Sequence, residues 1–508
     1  MNRFTPSLLL ARNATLNLFS EGWTFVVLLI AMPKLVSFLG DTLFGVFSLA
    51  WVIIGYLNFL DIGVNRAATK FISEHLVDAN DDAVRAIVHT AFLTNLILGV
   101  LGGIAVVFAS PYFIHSLFKI SPNLEHQFQL VFYAVGLGVP ILLIQGIFRS
   151  ALTSYQCFGW INGINAVAVA AQWGAAILLA WKSHSVVAVV FATIAVRLLV
   201  VIAYAILLFR FLPGLNLFEL RSLKEVSKLV RFGSWVSVSQ IVSPALVYLD
   251  RVLIASFVSL SAVTLYTIPY EMMTRLRVIP SSLTTTLYPA FSERGISGQE
   301  DNLQELYERS VRYLLLLLIP GVIFLLVLGS DVLTIWMGNS FAAQTSKILQ
   351  ILAVGVLVNG ISYVPYNILQ ALGRPDLTGK FHLLELPIYL LLCMVLIPKW
   401  GIEGAAIAST IRFSLDFVLL FWAANKYCMC TLSNFWTKSY GHMAILGLSL
   451  IFVLAGIRSS IPNIWLRLVL ASMAVVAYVS GSWVLIVSSK EKPRLSGIVK
   501  NLLGESIP

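Results

Sequence analysis

The sequence predicts an all-α polytopic membrane protein with about fourteen transmembrane helices. Three observations lead there: a composition too apolar for a water-facing surface, apolar runs of bilayer length, and basic residues concentrated in alternate connectors. Of 508 residues, 58% are hydrophobic and 11% are charged, with a mean hydropathy of +0.88. Soluble domains carry about 25% charged residues, so lipid must solvate most of this chain. A helix needs about 20 apolar residues to cross the hydrocarbon core. By that measure the spans fall near 14–37, 42–68, 86–110, 126–150, 159–181, 186–210, 232–257, 262–290, 310–330, 345–369, 377–398, 402–425, 440–458 and 464–487. Strands of a membrane barrel would alternate apolar and polar residues. The run from Tyr313 to Val327 does not, which leaves helices.

Lys and Arg set the orientation. With both termini in the cytoplasm, 22 of the 34 basic residues lie on that side, including Arg66, Lys70, Arg85, Arg210, Arg221, Lys224, Lys228 and Arg231. The C-terminal tail adds Lys490, Lys492, Arg494 and Lys500 to that set. Seven lie opposite (Lys34, Lys119, Lys182, Lys347, Lys399, Arg458, Arg467), and Arg197, Arg251, Arg275, Arg277 and Arg412 fall within spans. The asymmetry places the termini in the cytoplasm.

Several function classes drop out. The net charge of +10 is spread over short connectors rather than gathered on a basic face, so no nucleic-acid partner is expected. Cys157, Cys393, Cys428 and Cys430 have neither disulfide-framework nor zinc spacing. No cleavable signal peptide follows MNRFTPSLLLAR. External connectors are short, and the longest, near Ser110 to Glu125, holds His115 and Lys119 but no carboxylate pair. No nucleotide loop, zinc-protease motif or nucleophile elbow occurs, so a transporter is expected rather than an enzyme.

A repeat organises the chain. At an offset of 219, Arg12 falls on Arg231, Phe38 on Phe257, Phe47 on Tyr266, Ser73-Glu74 on Ser292-Glu293, and Ala134-Val135-Gly136 on Ala353-Val354-Gly355. Later the offset becomes 215 and Arg197 meets Arg412. The expected domains are an N-lobe of six spans over 1–219, a C-lobe of six spans over 220–438, and two further spans with a basic tail over 439–508. An even repeat keeps its orientation, so the lobes are related by a pseudo-two-fold along the membrane normal. Transporters built this way hold substrate between the halves and alternate access by rocking. Gly99 with Gly103, and Gly159 with Gly163, have the small-xxx-small spacing of close helix approach.

Charges within spans are costly and mark candidate sites, with a structural ion pair as the competing reading. The stretch IPYEMMTRLRVIP (268–280) carries Glu271, Arg275 and Arg277 between two prolines. Spans seven and eight turn near residue 260, which brings Asp250 and Arg251 to the depth of Glu271. Arg251 can reach Glu271, and Asp250 can reach toward Arg275. Glu271 and Arg275 share a helix face, whereas Arg277 is turned about 200° from Arg275. One arginine is therefore expected to be neutralised and the other to face an anion or the membrane interface, with the assignment open. The repeat sets Glu271, Arg275 and Arg277 on the uncharged Val52, Tyr56 and Asn58, so this helix does not need its charges to fold. Arg197 and Arg412, equivalent in both halves, read as structural, with Asp416 at i+4 of Arg412. Arg66 and Arg149 at cytoplasmic helix ends are further candidates for an anionic headgroup, although helix-end arginines commonly snorkel. Glu21, whose repeat partner is Gln240, joins Asp250 and Glu271 as a carboxylate able to couple proton or sodium movement.

Four stretches carry a family resemblance: FLDIGVNRAATKFISEH (59–75), YLDRVLIASFVSLSAVTLYTIPYEMMTRL (248–276), LQALGRPDLTGK (369–380) and PKWGIEGAAIASTI (398–411). Through them the chain resembles the Wzx-type lipid-linked oligosaccharide flippases of the multidrug/oligosaccharidyl-lipid/polysaccharide exporter superfamily. The resemblance implies a two-lobed, fourteen-helix fold with a cavity lined by spans 1, 2, 7 and 8, in the bacterial cytoplasmic membrane. It implies translocation of an undecaprenyl-diphosphate-linked glycan for polysaccharide or O-antigen synthesis, by a monomer without cofactor. A glycan polymerase and a chain-length regulator are the implied partners. Arg275 and Arg277 match by location the cationic cavity of such flippases. Related peptidoglycan-precursor flippases carry a basic residue on the first helix, and here that span has Glu21 instead. A cation-coupled multidrug exporter of the same superfamily, and a membrane glycan polymerase or ligase, are the alternatives.

Overall fold

The computed structural model describes residues 6–61, 63–78, 80–118, 120–217, 242, 244–284, 291, 300–428 and 438–485. Expectations placed on Lys119, Arg221, Lys224, Lys228, Arg231, Gln240, Ser292-Glu293, Cys430 and the tail beyond 485 lie outside these residues. The chain divides into two compact units, Met1–Thr264 and Leu265–Pro508. Every regular element among the described residues is helical. Among the described residues, ten helices are long and apolar enough to cross a membrane.

The first unit holds α1 (Pro6–Tyr56), a 3-10 turn (Leu57–Asp61), α2 (Val64–Val77), α3 (Asp81–Pro111), α4 (Pro122–Ser154), α5 (Phe158–Ser183), α6 (Val186–Phe211) and α7 (244–257). It ends inside α8 (Leu260–Thr274). Helix starts are written locally: the Asn80 side chain accepts from the Ala83 amide at 3.0 Å, and Asp81 and Asp82 add negative charge to the first turn of α3. At 51 residues α1 is too long for one crossing, and it breaks at Gly40, where φ is 76°. Val64, Ala68 and Ile72 of α2 form a core with Val88 and Ala91 of α3, Ile147 and Ala151 of α4, and Tyr204 and Leu208 of α6.

The glycine pairs behave differently from one another. A Cβ on Gly103 would lie 2.3 Å from the Gly136 carbonyl oxygen, and one on Gly99 would lie 2.5 Å from Pro140 Cα, so α3 and α4 meet backbone to backbone. A Cβ on Gly159 or on Gly163 would meet nothing within 4 Å, which corrects the expectation of close packing there. The second span also differs from the continuous 42–68 helix expected. It ends at Tyr56, and the chain turns through the 3-10 segment and Gly63 (φ 69°) into a separate α2. Asp61 Oδ1 stabilises the turn by accepting from the Asn65 amide at 2.9 Å.

The second unit contains the rest of α8, a 3-10 turn (Arg275–Arg277), α9 (278–284), α10 (Glu300–Met337), α11 (Asn339–Ala371), α12 (Pro375–Cys428), α13 (Lys438–Ser460) and α14 (Ile464–Leu485). Its core joins Tyr307 and Val311 of α10, Val364 and Ile368 of α11, and Phe381 and Ala424 of α12. A straight helix of 54 residues would extend about 80 Å; α12 instead breaks at Gly401 (φ 56°). The site of a Cβ on Gly404 lies 2.1 Å from the Leu396 carbonyl oxygen, so the chain folds sharply back on itself. The last two helices pack on α10, where Arg467 pairs with Asp331 at 2.7 Å. Phe108 (81% exposed), Phe452 (76%) and Val167 (71%) stand outward on long apolar helices, as expected where the solvent is lipid.

Candidate functional site

The segment that joins α8 to α9 is built to be irregular. Proline at 280 has no amide hydrogen, and its ring would clash with the carbonyl four residues earlier. The α-helix gives way to 3-10 geometry over Arg275–Arg277 and resumes at 278. The break separates the two arginines in environment. Arg275 Nη2 lies 3.6 Å from Glu271 Oε2, the i,i+4 pair read from the sequence. Arg277 turns elsewhere: its guanidinium carbon sits 5.2 Å from the centroid of Phe413, and its Nε is buried with no hydrogen-bond partner. Among the described residues Arg277 has no ion pair within 4.0 Å.

Phe413 belongs to the second limb of α12, where Arg412 stacks on the same ring at 4.4 Å and on Tyr389 at 5.2 Å. Arg412 Nη1 is 3.9 Å from Glu385 Oε2, across the fold at Gly401. Asp416 lies one turn beyond Arg412 on the same limb, and its carboxyl and that of Glu385 act on each other electrostatically. The Ser409 hydroxyl bridges those of Tyr266 and Tyr389 at 3.0 Å each, which ties α8 to both limbs of α12. Glu385 is the site residue that sequence reading missed. It lies 16 residues before Gly401 and Asp416 lies 15 after, an equal-depth signal that the fold at Gly401 makes legible.

The repeat-matched arginines both stack on aromatic rings but differ in their charged partners. Arg197 of α6 stacks on Trp51 at 4.6 Å, whereas Arg412 lies among carboxyl groups.

In the first unit, Asp250 and Arg251 of α7 are 1% and 2% exposed and form an ion pair at 3.7 Å. Arg251 also donates to the Val247 carbonyl at 2.7 Å and lies 5.6 Å from the Tyr248 ring. These contacts anchor the pair to its own helix. Asn95 Nδ2 donates to Asp61 Oδ1 and Asn65 Oδ1 at 3.3 Å and to the Leu143 carbonyl at 3.2 Å. That network fixes the start of α2 and so places Arg66, which is exposed and acts electrostatically on Asp61. Arg149 is exposed on α4, where it acts on Tyr204. Glu21 is exposed, with no ion pair among the described residues.

An all-helical scaffold of bilayer length that keeps guanidinium groups at helix breaks has the architecture of a membrane transporter. The chain belongs to the polysaccharide biosynthesis protein family, whose profile matches residues 10–294. The profile of lipid II flippase MurJ matches residues 164–476. A Shigella flexneri protein bearing the name O-antigen transporter is 26% identical over 420 residues, covering 82% of this chain and 98% of its own. Two solved structures share the fold. One is described as lipid II flippase MurJ in an inward closed conformation (TM-score 0.70, 12% identity, 93% of this chain and 98% of that chain). The other is an inward-facing multidrug resistance MATE family transporter of the MOP superfamily (TM-score 0.66, 14% identity, 82% of this chain and 98% of that chain). The chain is a multi-pass membrane transporter rather than an enzyme.

Proposed function

We propose that this protein is a flippase that moves an undecaprenyl-diphosphate-linked oligosaccharide from the cytoplasmic to the outer face of the cytoplasmic membrane, for polysaccharide or O-antigen synthesis. The supporting observation is Arg277: a guanidinium on a helix break, held by an aromatic ring, with no ion pair among the described residues. Arginine presents a planar fork that suits a phosphate. Arg277 is the principal headgroup ligand, and Arg275 is a tethered neighbour held by Glu271. Arg66 and Arg149 supply positive charge that draws the headgroup in from the cytoplasm. Both termini are cytoplasmic, and lobes of six spans, 1–219 and 220–438, exchange access while 439–508 forms a peripheral pair of spans and tail. The protein acts as a monomer beside a glycan polymerase and a chain-length regulator.

The test is complementation of a deletion strain with Arg277→Ala and Arg275→Ala at matched membrane levels. Surface glycan should vanish with the first and fall partially with the second. Full glycan from both variants would exclude the headgroup role. Loss of glycan in the deletion strain, with drug susceptibility unchanged, separates this reading from drug export.

A further inference from the structure

The fold at Gly401 brings the two ends of α12 to one side of the second unit. There the α11–α12 turn meets the last turn of α12: the Arg374 guanidinium carbon lies 4.5 Å from the centroid of the Tyr427 ring. Lys426 Nζ lies 5.3 Å from the same ring and 4.9 Å from that of Trp422. The Asp376 carboxylate accepts from Arg374 Nε and from Lys380 Nζ, at 3.2 Å each. One carboxylate thus serves two cations, and Lys426 has no ion pair among the described residues. Three positive charges stand against one negative charge. The stretch that follows, 429–437, holds no charged residue that could balance them. Two cations held at one ring repel each other, and an anion between them relieves that repulsion.

Apolar stripes run from this cluster along both limbs of α12. On the second limb, Lys426 follows the exposed Trp422, Val418 and Ile411 on one helix face. On the first limb, Lys380 precedes the exposed Leu384, Ile388 and Leu391 at the same kind of spacing. A lysine that merely snorkels reaches for water alone. Here Arg374 and Lys426 converge on tryptophan and tyrosine, the aromatic residues of membrane–water interfaces. We propose that this cluster is a binding site for an anionic phospholipid, with the phosphate between Arg374 and Lys426 and the acyl chains along the stripes of α12. The guanidinium and the ammonium both donate charge-assisted hydrogen bonds to phosphate oxygens. Basic pockets at the cytoplasmic ends of membrane helices take anionic headgroups in this way, and in the orientation proposed above this side of α12 faces the cytoplasm. The site stands apart from the headgroup role of Arg277, and either can fail without the other.

The test is native mass spectrometry of the full chain released from detergent micelles. It is titrated with phosphatidylglycerol and, separately, with phosphatidylcholine of the same acyl chains. One basic side chain near an anionic lipid changes affinity about fivefold. Wild type should therefore take its first phosphatidylglycerol roughly twentyfold more tightly than its first phosphatidylcholine, from two such side chains. Lys426→Gln should weaken the first phosphatidylglycerol about fivefold, and Arg374→Gln added to it should remove most of the preference. Phosphatidylcholine binding should not change in either. Lys426 is exposed and touches only rings, so its variants should fold normally, and Lys426→Arg should bind as wild type does. Lys399→Gln, at the opposite end of the first limb, should also match wild type. Equal affinity of wild type for the two lipids would overturn the site, as would an equal loss in Lys399→Gln. Unchanged phosphatidylglycerol binding in both Lys426→Gln and the double variant would overturn it too. Displacement of the lipid by an equal concentration of glycerol phosphate would show a site for soluble phosphate and overturn the lipid assignment.

Discussion

Arg277 and Arg412 share one aromatic ring: their guanidinium carbons lie 5.2 and 4.4 Å from the centroid of Phe413. Two cations brought to one ring would repel unless the ring quadrupole and nearby carboxyls compensate, and Glu385 lies 3.9 Å from Arg412. Phe413 therefore positions the guanidinium that is left for an anion. A cation–π contact contributes about 0.5–1 kcal/mol when exposed and about 2 when desolvated. Phe413→Leu should lower glycan output in complementation roughly tenfold, the equivalent of about 1.4 kcal/mol, at unchanged membrane level. Phe413→Tyr, which keeps the ring, should stay near wild type.

The Glu271–Arg275 pair, 3.6 Å apart and about one-third exposed, is expected to restrain the helix break rather than to bind substrate. Exposed pairs contribute about 0–1 kcal/mol, so stability should change little in Arg275→Gln. The Glu271 carboxylate, deprived of the Arg275 charge 3.6 Å away, would instead repel an anionic headgroup. Arg275→Gln should reduce transport, and adding Glu271→Gln should restore most of it. A double variant no better than the single one would make Arg275 itself a ligand.

How much of this was legible in the sequence varies with the physical cause. Span identity was legible because a continuous apolar run such as 313–327 has one low-cost environment. The Glu271–Arg275 pair was legible because i,i+4 spacing is a local rule. The close approach of α3 and α4 was only half legible. Gly99-xxx-Gly103 and Gly159-xxx-Gly163 have identical spacing, and what separates them is the facing surface, Gly136 and Pro140 in one case and open space in the other. Glu385 escaped notice because its partners lie beyond a fold in the chain. The break after Tyr56 was hidden for another reason: Asp61, Gly63 and the Asn95 side chain make it together, and Asn95 comes from another helix.

That difference between the glycine pairs is measurable. In Gly103→Ala the new methyl would sit 2.3 Å from the Gly136 carbonyl oxygen, and backbone cannot yield as a flexible side chain does. Overpacking of this kind costs about 1–3 kcal/mol. Thermal unfolding in detergent should show a fall of several degrees for Gly103→Ala. Gly159→Ala, which meets nothing within 4 Å, should match wild type or exceed it slightly because alanine favours helix.

Asp250 and Arg251 should reveal themselves through folding. Both are almost wholly buried, and removal of one member of such a pair leaves a charge that costs about 3–5 kcal/mol. Arg251→Ala should sharply reduce the monodisperse fraction on size-exclusion chromatography. Arg251→Lys retains the charge but not the fork and should lie between. Normal yield and stability in Arg251→Ala would show that the pair is not needed for folding and would favour a charge-pairing or ion-coupling role in transport instead.

Cys157, in the connector between α4 and α5, offers a pH-dependent probe of packing outside the spans. Its thiol is buried, with Sγ 3.6 Å from the Tyr155 carbonyl oxygen, and burial raises its pKa above the ordinary thiol value. Only the thiolate attacks a maleimide, so a raised pKa means less reactive species at neutral pH. The rate should continue to climb with pH beyond the range in which an exposed thiol has levelled off. In a background with Cys393, Cys428 and Cys430 changed to serine, Cys157 should label slowly at pH 7.5. Val77→Cys, at a site 86% exposed, should label quickly beside it. Equal rates for the two thiols would mean that the α4–α5 connector opens readily to solvent.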